Sequence, residues 1–237
     1  MTALVLRLGN CDRLTDDPCL HLAQCAGIDR GAVRELDELA ELARSNPALL
    51  QAVFNPQKGP FVVGASRPRA AKALLQFAGV PTQQLDLRWV TLEADLTALK
   101  QGYGVPWYPV IDRDFCVGCG ICADYCLFSV YATAPHEPEQ HRVRVVRPLN
   151  CKTGCPACAR LCAKGALIFP FCADPELNGS QDPRTRTHVD LASVLGDDPM
   201  KVLAERRKKR QLLADEQRQK AEQDRIKFSG LADTGVE

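Results

Sequence analysis

Two cysteine runs, whose first residues lie 35 positions apart, constrain this chain more than any other feature. The first is Cys116-x2-Cys119-x2-Cys122-x3-Cys126, and the second is Cys151-x3-Cys155-x2-Cys158-x3-Cys162. Three thiolates gathered by a tight loop can hold three corners of an iron–sulfur cube, and the fourth corner then needs a ligand from elsewhere. Zinc sites also use Cys-x2-Cys, but as two separated pairs. Here four cysteines fall within 11 or 12 residues in each run. A disulfide framework belongs to small secreted scaffolds, which a 237-residue chain is not.

Residues 116–126 have the cysteine spacing of the bacterial ferredoxin run, and 151–162 have it with one extra residue in the first gap. On these motifs, residues 106–172 resemble a bacterial dicluster ferredoxin with two [4Fe–4S] clusters. The chain as a whole, with Cys126-Leu127-Phe128-Ser129-Val130-Tyr131 and its dense second run, resembles longer members of that family. The resemblance implies crossed ligation, in which the fourth cysteine of each run serves the other cluster. Cluster one would use Cys116, Cys119, Cys122 and Cys162. Cluster two would use Cys151, Cys155, Cys158 and Cys126. Leu127 and Ala163 stand where the family has proline, and Lys152-Thr153-Gly154 makes a longer gap. These departures bear on potential and local geometry rather than on cluster presence.

Within the loops, Gly118, Gly120 and Gly154 let the backbone wrap closely and aim N–H groups at sulfur. Asp112, Asp114 and Asp124 flank the first loop. Arg142, Arg144, Arg147, Lys152, Arg160 and Lys164 flank the second, where positive charge favours a reduced cluster or is simply solvated. Cys11, Cys19 and Cys25 form a sparser group around His21. They are either a third metal or cluster site or ordinary thiols, and Cys172 stands apart.

The remaining chain reads as strands alternating with helices. Leu4–Leu8, Pro60–Ala65 and Leu85–Leu92 are expected as strands. Asp29–Ser45, a helix starting at Ser66, and Glu93–Lys100 are expected as helices, with Pro47 as a stop and Gly9–Gly27 as turns. This pattern argues for a small three-layer α/β domain with a parallel sheet. It also gives a weaker resemblance to the small α/β iron–sulfur subunits of hydrogenase and heterodisulfide-reductase systems. Two arginines in Val63-Gly64-Ala65-Ser66-Arg67-Pro68-Arg69 suit an anion at a helix start, although no phosphate-loop motif accompanies them. The expected layout is an α/β domain at 1–100 and an aromatic connector at 101–109. An α+β ferredoxin-like dicluster domain of two βαβ halves follows at 110–173. Beyond it come an extended, exposed polar segment at 174–197 and a basic helical tail at 198–230.

Net charge is +1, yet residues 201–227 carry 10 Lys/Arg against 5 Asp/Glu, so the basic excess sits in the tail. No apolar run reaches the roughly 18 residues of a membrane span. The first eleven residues lack the charge-then-apolar order of a secretory signal. Many free thiols fit the reducing cytoplasm. No catalytic triad is visible, so the expected role is electron carriage between donor and acceptor redox proteins rather than catalysis. The alternative is an iron–sulfur subunit of a multi-subunit oxidoreductase. A nucleic-acid-associated or redox-sensing protein rests on the tail alone, and nucleic acid is not the expected partner.

Overall fold

The computed structural model describes residues 2–9, 12–13, 17–58, 60–89, 93–94, 106–187 and 189–208. Four strands make a fully parallel sheet in the order β3-β1-β4-β5: β1 Thr2–Leu6, β3 Val33–Leu36, β4 Phe61–Ala65 and β5 Leu85–Trp89. The two-residue alternation of a strand decides what lies on each face. Ala3, Val5 and Val62 pack with Leu22 of α1 (Pro18–Ala26) on one side. Leu4, Leu6, Phe61 and Val63 pack on the other side with α2 (Leu39–Ser45), α3 (Pro47–Val53) and α4 (Pro68–Phe77). A parallel sheet covered on both faces is the expected three-layer arrangement.

Several local expectations change. The stretch expected as one helix from Asp29 to Ser45 opens with a 3-10 turn, Arg30–Ala32, capped by Asp29. It continues as β3 along the open edge of β1 before α2 begins. Apolar residues at 33, 36 and 39 fit a three-residue helical step, but pairing with a sheet edge wins. Glu38, at φ 54°, makes the break. Pro47 begins α3 rather than ending α2, behind the Asn46 cap. The segment expected as turns contains α1, started by Asp17 accepting from Leu20 N at 3.0 Å and closed by Gly27 at φ 66°. Ser66 does not cap α4: that position falls on Arg67, and the Ser66 hydroxyl is buried without a hydrogen bond. Glu93–Ala94 is not helical but forms β6, antiparallel to β2 (Asp12–Arg13); residues 95–100 lie outside the described residues.

The cysteine-bearing part is a pair of similar halves. The first runs through β7 (Val110–Ile111), α5 (Ile121–Tyr125) and β8 (Tyr131–Thr133). The second runs through β9 (Val143–Val145), α6 (Ala157–Arg160) and β10 (Leu167–Ile168). β7 pairs antiparallel with β10, and β8 with β9, so each half lends a strand to both ladders.

The two parts share one core. Tyr108, Val110, Ile168 and Phe171 join the cluster that α2 and α4 build on the sheet. Tyr108 OH donates to Ala40 O, and the Phe77 and Tyr108 rings lie 5.5 Å apart. The segment expected to be exposed folds back instead. Leu177 is buried, its carbonyl accepts from Phe169 N at 2.8 Å, and Asn178 donates to Cys172 O at 3.1 Å. Both the α/β and the cysteine-bearing parts belong to one compact unit, Met1–Asp190. The other unit, Leu191–Glu237, holds α7 (Leu191–Leu195) and a helix over 199–208 whose start Asp198 caps, at 3.0 Å from Lys201 N. The rest of the expected tail helix lies outside the described residues. Among the described residues no helix is long and apolar enough to cross a membrane.

Candidate metal centre

The first loop opens on a turn built by Asp112. Its carbonyl accepts from Cys116 N at 3.0 Å, its amide donates to Ala166 O at 2.8 Å, and its side chain accepts from Asp114 N at 3.1 Å. Beyond Cys116 the chain passes close under the 138–142 turn. A Cβ on Gly118 would stand 2.1 Å from Glu139 O, and its φ is +65°, so only glycine fits there. Gly120 and Gly154 also have positive φ. α5 then carries Cys122, and Cys126 follows as its cap, with Cys126 N donating to Cys122 O at 3.2 Å.

Cys116, Cys119 and Cys122 line a cavity of about 200 Å³ together with Cys162 from the far end of the second run. Its other walls include Ile111, Val143, Leu161 and Leu167, so the lining is almost wholly apolar. Ala166 N points at Cys162 Sγ, 3.4 Å away. The thiols act on one another within each group and between the two. Burial pushes the Cys116 thiol up, Cys162 and Cys119 push it further, and the Gly118 amide and Arg113 pull it down. Burial pushes Cys151 up to about 12, with Cys158, Cys126 and Cys155 adding to it. Cys158 is likewise pushed up to about 12 by burial, against a Tyr131 hydroxyl 3.0 Å from its sulfur that favours the thiolate. Cys122 is held well above the usual thiol range by burial, with Cys158 and Cys162 next in effect. The two groups therefore adjoin.

Among the described residues, no set of three or more His, Cys, Asp or Glu side chains converges tightly enough for a single metal ion. Thiols spaced around a small apolar chamber suit a polynuclear metal–sulfur core instead. Four thiolates cannot be packed into so dry a space unless positive charge replaces their protons, which is what such a core supplies.

Residues that the cysteine pattern does not single out fasten this part to the sheet. Arg69 Nε donates to Asp112 Oδ2 at 2.6 Å, its other nitrogen reaches Gly165 O, and its guanidinium lies over the Phe115 ring at 5.3 Å. Arg67 donates to Pro170 O, and Lys72 pairs with Asp114. The two arginines read as an anion site therefore act as struts. Arg113 is half-buried, donates to Val143 O at 2.8 Å, and sets its charge beside Cys116 and Cys122.

Of the sparse N-terminal thiols, Cys19 and Cys25 are described, and they differ in exposure. Cys19 is buried on α1, its thiol donates to Glu35 Oε1 at 3.4 Å, and burial followed by Glu35 pushes it up to about 11. Cys25 is exposed on the same helix, and Cys11 lies outside the described residues. Cys172 is buried in the core of the cysteine-bearing part.

No family model and no solved structure matches the chain. It is 35% identical over 72 residues to an uncharacterized ferredoxin of Methanocaldococcus jannaschii, a match covering 30% of this chain and 46% of that protein. It is 38% identical over 88 residues to ferredoxin-3 of Nostoc sp., covering 30% of this chain and 89% of that protein. The chain thus spans about half the length of the first relative and most of the second. With nearly the whole of ferredoxin-3 matched at this identity, the chain belongs to the ferredoxin family.

Proposed function

We propose that the chain carries single electrons between redox proteins through two [4Fe–4S] clusters. The observation that supports this most is the shared cavity, where three thiols of the first run meet the last thiol of the second. Cys116, Cys119, Cys122 and Cys162 would hold one cluster; Cys151, Cys155, Cys158 and Cys126 would hold the other. When bound, each cluster supplies a one-electron couple. The chain's own residues do the rest. Ile111, Val143 and Leu167 keep water from the first site, Ala166 N–H and Tyr131 OH offer hydrogen bonds to ligand sulfurs, and Arg113 lends positive charge. The reading makes the chain an electron carrier of the cytoplasm and not a catalyst.

A redox partner needs a way in. Leu127, Phe128, Val146 and Leu149 are exposed, the last at 76%. They flank Cys126 and Cys151, and Val146 N donates to Val130 O at 2.9 Å, so the two segments adjoin. Arg147 and Lys152 stand beside them without an ion pair among the described residues, and no Asp or Glu occurs from 140 to 173. This edge fits an acidic redox protein with an apolar centre. The fused α/β part also favours a second reading, an iron–sulfur subunit of a larger oxidoreductase, which co-purification with a flavin- or metal-bearing subunit would support.

Anaerobically purified protein should hold about eight iron and about eight acid-labile sulfide per chain. Stoichiometric zinc with little sulfide would defeat the proposal.

A further inference from the structure

Arg186 is a buried guanidinium that no carboxylate meets. It ends the polar stretch that folds back onto the cysteine-bearing part, and it is 6% exposed. Its Nη2 donates to Ala159 O at 2.6 Å, while Nε and Nη1 are buried with no hydrogen-bond partner among the described residues. Arginine is almost never buried unpaired, because desolvating a charge is costly. Glu176 and Asp174 are near enough for their charges to act on it, but neither bonds to it, and Asp174 pairs with Arg160 at 3.6 Å.

The location supplies the missing partner. Ala159 O, which accepts from Arg186, also accepts from Cys162 N at 3.0 Å. One carbonyl therefore fixes the guanidinium against the backbone of Cys162, the residue that the second run sends to the cavity of the first. Cys162 is also the leading negative group acting on Arg186. The positive charge thus sits beside Cys162, the thiol that the first site takes from the second run.

We propose that Arg186 is a positioning residue for the first site, where its fixed charge favours the reduced state of the cluster held by Cys116, Cys119, Cys122 and Cys162. That charge raises the potential of this cluster relative to the same site without it. Reduction takes one electron from the donor protein, which is oxidised, and Arg186 keeps its proton, so the charge beside it becomes more negative by one. The inference rests on the two-cluster reading above.

The test uses the full chain purified anaerobically as wild type, Arg186→Gln and Arg186→Lys. Iron and sulfide are counted first, and a redox titration is then followed by electron paramagnetic resonance. Gln should leave both clusters in place and lower the potential of one, shifting its redox equilibrium about tenfold, or ~59 mV for one electron. Lys keeps the charge and should keep most of the potential. Both clusters present with unmoved potentials, or with equal shifts, would overturn the inference alone. If Gln fails to assemble, Lys decides: assembly with the wild-type gap between the two potentials supports the inference, and assembly without that gap overturns it. Failure of both variants would make Arg186 a folding residue and overturn it too. Wild-type protein without iron and sulfide would overturn the two-cluster reading itself.

Discussion

Arg69 Nε stands 2.6 Å from Asp112 Oδ2, with 16% and 4% of the two side chains exposed. This pair ties α4 of the parallel sheet to the turn from which the first cysteine loop starts. Asp112 also holds Cys116 N through its carbonyl, so the loop's first cysteine is linked to the sheet through this one residue.

Removing one partner of such a buried pair leaves the other uncompensated. Arg69→Ala should cost about 3–5 kcal/mol of stability. Denaturant unfolding of the full chain measures this, and an unmoved midpoint would mean that the pair is not what joins the two parts.

Two glycines with similar φ should respond differently. Gly118→Ala places a methyl against Glu139 O and should displace the loop of Cys116 and Cys119, with loss of about half the bound iron. Gly154→Ala meets nothing within 4 Å, so it should carry only the strain of positive φ, roughly 1–2 kcal/mol, and keep its iron. Equal iron loss in both variants would show that conformation, not the close approach, sets the requirement.

The basic edge gives a kinetic prediction. Charge reversal at Arg147 and Lys152 should leave iron content unchanged and slow electron transfer with an acidic protein partner roughly tenfold at low salt, with a flatter salt dependence. Stopped-flow rates at several ionic strengths would show it. A rate indifferent to both charge and salt would place docking elsewhere.

What could be read from the sequence follows from what is local. Cysteine spacing encodes the loops because each loop is short, and Phe61–Ala65 with Pro68–Phe77 carries its own strand–helix pattern. β3 was hidden because Val33, Leu36 and Leu39 satisfy a helical step until the edge of β1 is known. The roles of Arg67 and Arg69 were hidden because their partners, Pro170 and Asp112, lie 103 and 43 residues away. The polar composition of 174–187 suggested an extended, exposed run, whereas its turns fold it back onto the cysteine-bearing part. Leu177 and Arg186 therefore gave no sign of their place beside the cysteines.

The central claim is that the two runs exchange their fourth ligands, and Cys126→Ala tests it most directly. The reduced, anaerobic variant is examined by electron paramagnetic resonance, with cluster loss assigned by paramagnetic NMR. Crossed ligation predicts damage to the cluster of Cys151, Cys155 and Cys158, while the cluster of Cys116, Cys119 and Cys122 survives beside the substitution. Loss confined to the latter would mean that each run binds its own cluster, and the account would be contradicted.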